Sequence, residues 1–208
     1  MNNKRILFVL LFFICNRILA QNNNILVKEE ALKSAISFLN LIPEGREKDY
    51  GFDSRNDFSQ IKIEEPYQIY YLNYENNELG FTTWHEWRVP ISVNGVYKTL
   101  LAIQVFDGKT KCFDLGGNKL AQKIQEIEKL HLSKLNQHVI IRNTILNQDF
   151  MPSNFSALCD KIVSDVEFKI NKNAIEPIFQ INESAPIKTS IAQIINDTQY
   201  LIKNKSDK

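Results

Sequence analysis

Two dipeptides constrain this chain more than anything else in it: Asn94-Gly95 and Asp107-Gly108. Asn, Asp and Gly tolerate positive φ at little cost, so such pairs between alternating apolar residues specify two-residue hairpin turns. Before the first turn, Trp87, Val89, Ile91 and Val93 alternate with Arg88, Pro90 and Ser92, the period of a strand with one buried face. Leu101, Ile103 and Val105 repeat that period between the turns, and KTKCFDL at 109–115 supplies a third strand. Residues 86–117 are therefore predicted to form an antiparallel meander. The apolar side of its first strand is expected to lie under a helix, with Arg88 and Ser92 facing water. Pro90, which lacks an N–H for the ladder, points to an edge position or a bulge.

The flanking segments supply the helices. Leu32, Ala35, Ile36 and Leu39 share one helical face within 26–40, and Pro43 and Gly45 end that helix. A charged loop at 44–57 leads to a tyrosine-rich strand after Pro66, and ENNELG at 75–80 is a turn cluster. After Gly116-Gly117, Asn118 is the expected N-cap of a helix carrying Leu120, Ile124, Ile127 and Leu130 or His131. A weaker cycle follows: a strand at 138–145, a short helix at 153–165 with Phe155, Leu158, Cys159 and Ile162 inward, and a terminal helix near 187–202. Between those helices, VEFKI and IEPIFQI are expected to pair through NKNA. The order predicts an α+β fold: a helix packed on an antiparallel meander sheet, then a smaller strand-helix-hairpin-helix part. The expected divisions are a signal peptide at 1–20, an α+β domain at 21–131, a smaller part at 138–203 continuous with it or separate, and a tail at 204–208, with the boundary within 132–137.

The N-terminus sets the compartment. Lys4 and Arg5 precede the apolar run Ile6–Ile14, and Ala20 stands before Gln21, the pattern of a secretory signal peptide cleaved after Ala20. The run is shorter than the roughly 20 residues a membrane-crossing helix needs. Phe13 and Ile14 before Cys15 are too large for a lipoprotein processing site. The expected location is thus secreted or periplasmic, with no membrane span in the mature chain. Cleavage removes Lys4, Arg5 and Arg17 and no acid, taking the formal charge from +1 to −2. A nearly neutral chain with scattered basic residues has no electrostatic footprint for nucleic acid. After cleavage only Cys112 and Cys159 remain, an even count in an oxidising compartment. A bridge between them, closing a loop of about 46 residues, would contribute roughly 4 kcal/mol on the chain-entropy estimate. Two buried thiols are the alternative, since Cys159 lies on an apolar stripe.

Catalytic motifs are missing. WHEW at 84–87 contains His-Glu, but a zinc-protease helix needs a second His at position 89, which is Val. His85, His131 and His138 stand at no local ligand spacing, and the chain has no nucleophile elbow, Gly-rich phosphate loop or Cys-x-x-Cys pair. Glu29-Glu30 and Glu64-Glu65 are adjacent residues that point different ways rather than across a cleft. No catalytic residue, cofactor or metal ligand is assigned. The aromatic residues invite a platform for stacking ligands, against the alternative of ordinary cross-strand packing. Tyr70, Tyr74, Trp84 and His85 are the candidate binding surface.

YGF at 50–52, EPYQIYYL at 65–72, WRVPISVNG at 87–95 and GGNKLAQKI at 116–124 together resemble secreted bacterial proteins with a helix packed on a curved antiparallel sheet. That arrangement is similar to cystatin-like and peptidase-propeptide-like modules. The resemblance covers about half the mature chain and implies a fold rather than an activity. Two functions are expected from the residues. The first is a non-enzymatic binding module that engages a peptide or protein through a sheet edge or its aromatic face. The alternative is a hydrolase whose site is assembled from separated residues around His85.

Overall fold

The computed structural model describes residues 23–75, 78–131, 137–162, 167–181 and 187–206. The expected signal peptide and nearly all of the expected boundary at 132–137 lie outside the described residues. Residues 23–40 form helix α1, and two short 3-10 helices at Glu47–Tyr50 and Arg55–Gln60 lead into the sheet. The strands and helices then run β1 (Ile61–Ile63), β2 (Tyr67–Glu75), β3 (Glu78–Thr82), β4 (Glu86–Val93), β5 (Val96–Phe106), β6 (Lys109–Gly116) and α2 (Asn118–His131). They continue as β7 (Val139–Asn143), β8 (Gln148–Pro152), α3 (Phe155–Leu158), β9 (Cys159–Ile162), β10 (Glu167–Ile170), β11 (Ile178–Ile181), β12 (Ile187–Thr189) and α4 (Ile191–Ser206). This is an α+β protein, and among the described residues all twelve strands join one sheet, dominated by antiparallel pairs.

The meander forms as its turns dictate. Asn94 and Gly95 have φ of 52° and 74°, and Asp107 and Gly108 have 50° and 67°, so both turns use the left-handed conformations these residue types allow. Gly51, at φ 88°, is needed for a second reason: a Cβ there would collide with the Lys98 carbonyl oxygen. Chain segment 61–75 runs antiparallel to 78–93 as one long hairpin with two interruptions. At the first, Glu64 N donates to Pro90 O at 3.0 Å. The N and O of one strand residue point the same way, so the donor that Pro90 lacks falls opposite the break between β1 and β2. Pro90 therefore sits in a central strand, opposite an interrupted ladder.

Three hydrophobic clusters order the layers. On one face, α1 buries Val27, Ala31, Ala35 and Leu39 against Trp87, Val89, Ile91, Val93, Leu101 and Ile103. On the same side of β2, β7 and β11, α4 packs Ile191, Ile194 and Ile195 against Leu72, Ile141 and Ile178. The opposite face is bridged by α2, whose Ala121, Ile124 and Ile127 meet Tyr67, Ile69, Tyr97, Leu100, Ile140 and Phe179. This third cluster draws on both ends of the sheet. Polar contacts hold α2 there: Tyr67 donates to the Glu128 carboxylate, and Gln125 accepts from Tyr97 N and donates to Gly95 O.

Several sequence expectations need correction. The buried stripe of α1 is rotated by about one residue: Leu32 and Ile36 are exposed, while Ala31 and Ala35 join Val27 and Leu39 against the sheet. Ser92 is fully buried and Arg88 is half-buried, because β4 is a central strand flanked by β1, β2 and β5. Its hydroxyl donates to Glu64 Oε1 at 2.6 Å, so Glu64 is a clamp across the β1–β2 break rather than a solvated charge. Leu130 is exposed. The helix expected at 153–165 is one turn, α3, after which Cys159 takes an extended conformation and begins β9. VEFKI and IEPIFQI do not pair with each other. β10 lies between β3 and β9 while β11 lies between β8 and β12, on the other side of β2. Residues 187–189 are strand, and α4 starts at Ile191.

Candidate functional site

The second interruption of the long hairpin builds the most distinctive surface. Gln68 pairs with Trp87 and Tyr71 with Thr82, so two residues of β2 oppose four residues, 83–86, of the other strand. This wide bulge is pinned from within. The buried Thr83 Oγ1 donates to Ile69 O at 3.0 Å and accepts from His85 N at 3.1 Å, while His85 takes φ 51°. Such insertions re-aim side chains. Here the bulge turns Trp84 outward, 59% exposed, with its indole stacked on Tyr71 at 4.4 Å and 28°.

A charged pair lies beneath. Tyr71 Oη donates to Glu86 Oε2 at 2.6 Å, and Glu86 Oε1 accepts from Arg88 Nη2 at 2.6 Å. Burial, reinforced by the Glu86 hydrogen bond, pushes the Tyr71 hydroxyl up to about 12. The Arg88 guanidinium lies over the Phe113 ring at 5.9 Å, and its Nη1 is buried without a partner among the described residues. Leu100, Ala102, Gln104 and Phe106 alternate onto this same face of β5. α2 covers Leu100, but beyond it Gln104 is half-buried and Phe106 is 78% exposed. Gln104 Nε2 donates to Trp84 O at 3.2 Å and fixes the bulge from the β5 side. A bulge between Ala102 and Ile103 of the β5–β6 ladder brings Phe113, 48% exposed, to the same patch. The result is three exposed aromatic rings around a buried carboxylate–guanidinium pair.

The sheet edges offer less. Along the free edge of β6, Cys112 N donates to Glu30 Oε1 at 3.4 Å and Leu115 N to the Asp114 carboxylate at 2.9 Å. Carboxylates thus occupy donors that an added strand would use. The edge strands β1, β9 and β12 have only three or four residues, another device against edge pairing.

The sequence-derived candidates do not gather in one place. Tyr70 packs between Phe155 and Phe168 at 4.1 and 5.5 Å, where burial raises its ionisation, and Tyr74 is half-buried against the same cluster. Trp84 alone of that group is exposed. The half-buried His85 ring lies parallel to Trp87 at 6.3 Å. Cys112 and Cys159 are free, and the expected bridge is not formed. Each thiol sits in a different hydrophobic cluster, and burial pushes Cys112 up to about 11 and Cys159 up to about 12. Among the described residues no group of three or more His, Cys, Asp or Glu could hold a metal ion, and no helix is long and apolar enough to cross a membrane.

Sequence reasoning missed Phe106, Phe113 and the Glu86–Arg88 pair. Phe106 was legible, since it falls on the opposite parity from Leu101, Ile103 and Val105; Phe113 was not, since its orientation depends on a bulge. Comparison with protein-family models, curated proteins and solved structures finds no match to this chain.

Proposed function

We propose that the chain is a secreted, non-enzymatic recognition module that holds a peptide or protein segment on the part of the β4–β5–β6 face that α2 leaves bare. The observation that carries the reading is the exposure of Trp84, Phe106 and Phe113 around the Glu86–Arg88 pair. Large rings lose little conformational entropy when covered, and aromatic residues with Arg dominate binding hot spots. Lys111 and Asp114, both exposed, supply the charged rim that commonly surrounds such a centre. The capped edge of β6 favours this face over strand addition. A hydrolase reading would centre on His85 beside Glu86, yet the Glu86 carboxylate is already held by Tyr71 and Arg88.

Selection from a displayed random-peptide library on the folded protein tests the proposal. Selected peptides are expected to weaken at least about tenfold against Trp84→Ala and Phe113→Ser, with melting temperature little changed. An empty selection, or peptides indifferent to both substitutions, would count against it.

A further inference from the structure

Beside the aromatic face, where Arg142 of β7 stands next to Tyr71 of β2, the turn joining β7 to β8 borders a polar depression of about 400 Å³ lined by Arg142, Thr144, Asn147, Gln148, Asp149 and the neighbouring Ile181 and Asn143. Its volume lies in the range of small-molecule sites, roughly 300–1,000 Å³. Its floor is fixed in advance, while Thr144 and Asn147 at its rim are exposed. Arg142 donates through Nε and Nη2 to the two carboxylate oxygens of Asp149 at 2.9 and 3.0 Å, and these side chains are only 26% and 18% exposed. The fully buried Asn143 accepts from Ile145 N and Leu146 N and donates to Thr198 Oγ1 at 2.8 Å, anchoring the turn to α4. Asn147, at φ 53°, takes the left-handed turn conformation that Asn tolerates, as Asn94 does. The depression beside Glu78, Asp160 and Lys169 is of similar size, but its Lys169–Glu78 pair is more than half exposed and far less fixed.

The chemistry of the lining selects the ligand. The Arg142–Asp149 pair is neutral as a unit, so a phosphate or an ammonium group would have to break a bidentate ion pair to find its counter-charge. An apolar side chain would meet only Ile181. A hydroxyl both donates and accepts, and adjacent hydroxyls match a lining whose residues include a carboxylate, a guanidinium, side-chain amides and a hydroxyl. We infer that this depression binds a neutral saccharide unit, its vicinal hydroxyls spanning the Arg142–Asp149 pair and the amides of Asn147 and Gln148.

The test is titration of the ¹⁵N-labelled full chain with maltose, cellobiose and N,N′-diacetylchitobiose, with inorganic phosphate in a parallel arm. The side-chain amide signals of Asn147 and Gln148 are expected to move and saturate with at least one disaccharide and to stay in place with phosphate. Asn147→Gly removes one amide while keeping a residue that accepts positive φ, so it preserves the fold; Gln148→Ala removes the other. The double variant is expected to bind the disaccharide about tenfold more weakly or worse, as loss of two net hydrogen bonds implies, with an undiminished melting temperature. No saccharide response, a response to phosphate in its place, or unchanged binding by the double variant would overturn the inference. None of these outcomes bears on the aromatic face, whose readout is peptide binding at Trp84.

Discussion

Strands β4, β5 and β6 have eight, eleven and eight residues and are joined by two-residue turns, whereas β7 to β12 have three to five residues and form three short antiparallel pairs, β7–β8, β9–β10 and β11–β12, that join the sheet through partners farther away in the chain. β7 lies parallel to β2, β10 pairs with β3, and β11 pairs with β8. The first region is specified locally, each turn presenting the next strand to the last. The second gains its order from a sheet edge that must already exist, and parallel or distant pairing carries a loop-closure cost that local hairpins avoid. The regions also differ in what they expose: aromatic rings on the first, a polar depression on the second.

That contrast can be broken most forcefully in the first region. Ile91→Asp places an unpartnered charge under α1 at a site with no exposure, and a cost of several kcal/mol is expected to leave no cooperative unfolding transition by circular dichroism. Truncating one large side chain in each region sharpens the comparison: Leu39→Ala and Ile194→Ala are each expected to cost about 2–5 kcal/mol in denaturant unfolding. Because α2 spans both regions, each should shift a single transition; two separate transitions would show that the regions fold independently. Loss of the Thr83 hydroxyl in Thr83→Val should cost about 1–3 kcal/mol, since the buried Ile69 carbonyl and the half-buried His85 N–H lose their partner, and should alter Trp84 fluorescence.

The pH dependence is smaller and has a definite sign. Tyr71, Cys112 and Cys159 ionise at about 12, 11 and 12, above their ordinary values of 10 and 9. A group whose folded value is raised contributes stability that is complete below its ordinary value and lost as pH rises through the folded one. Stability should thus decline from about pH 9 upward, and both thiols should alkylate slowly in the folded protein and fully, without reductant, once it is unfolded. Smallest of all, Phe106→Ser removes an exposed side chain and should change stability by no more than about 0.5 kcal/mol.

Much of the first region was legible because period two, Asn-Gly and Asp-Gly are properties of neighbouring residues. Trp87, Val89, Ile91 and Val93 are buried under α1 as the alternation predicts. Even there, Ser92 was misplaced because its burial depends on Glu64, 28 residues away. The short strands of the second region carry no such signal: CDKI reads as helix by spacing and becomes strand because β10 pairs with it. Of the aromatic face, Trp84 could be nominated from sequence, but its exposure is set by a register shift that composition does not reveal.

The two tryptophans permit the most direct test of the recognition face, since one ring is exposed and the other is 1% exposed. In ¹⁵N–¹H spectra of the protein titrated with a library-selected peptide, the indole N–H signal of Trp84 is predicted to move and saturate while that of Trp87 stays in place. A Trp84 signal unmoved by a peptide that binds elsewhere on the protein would contradict the account.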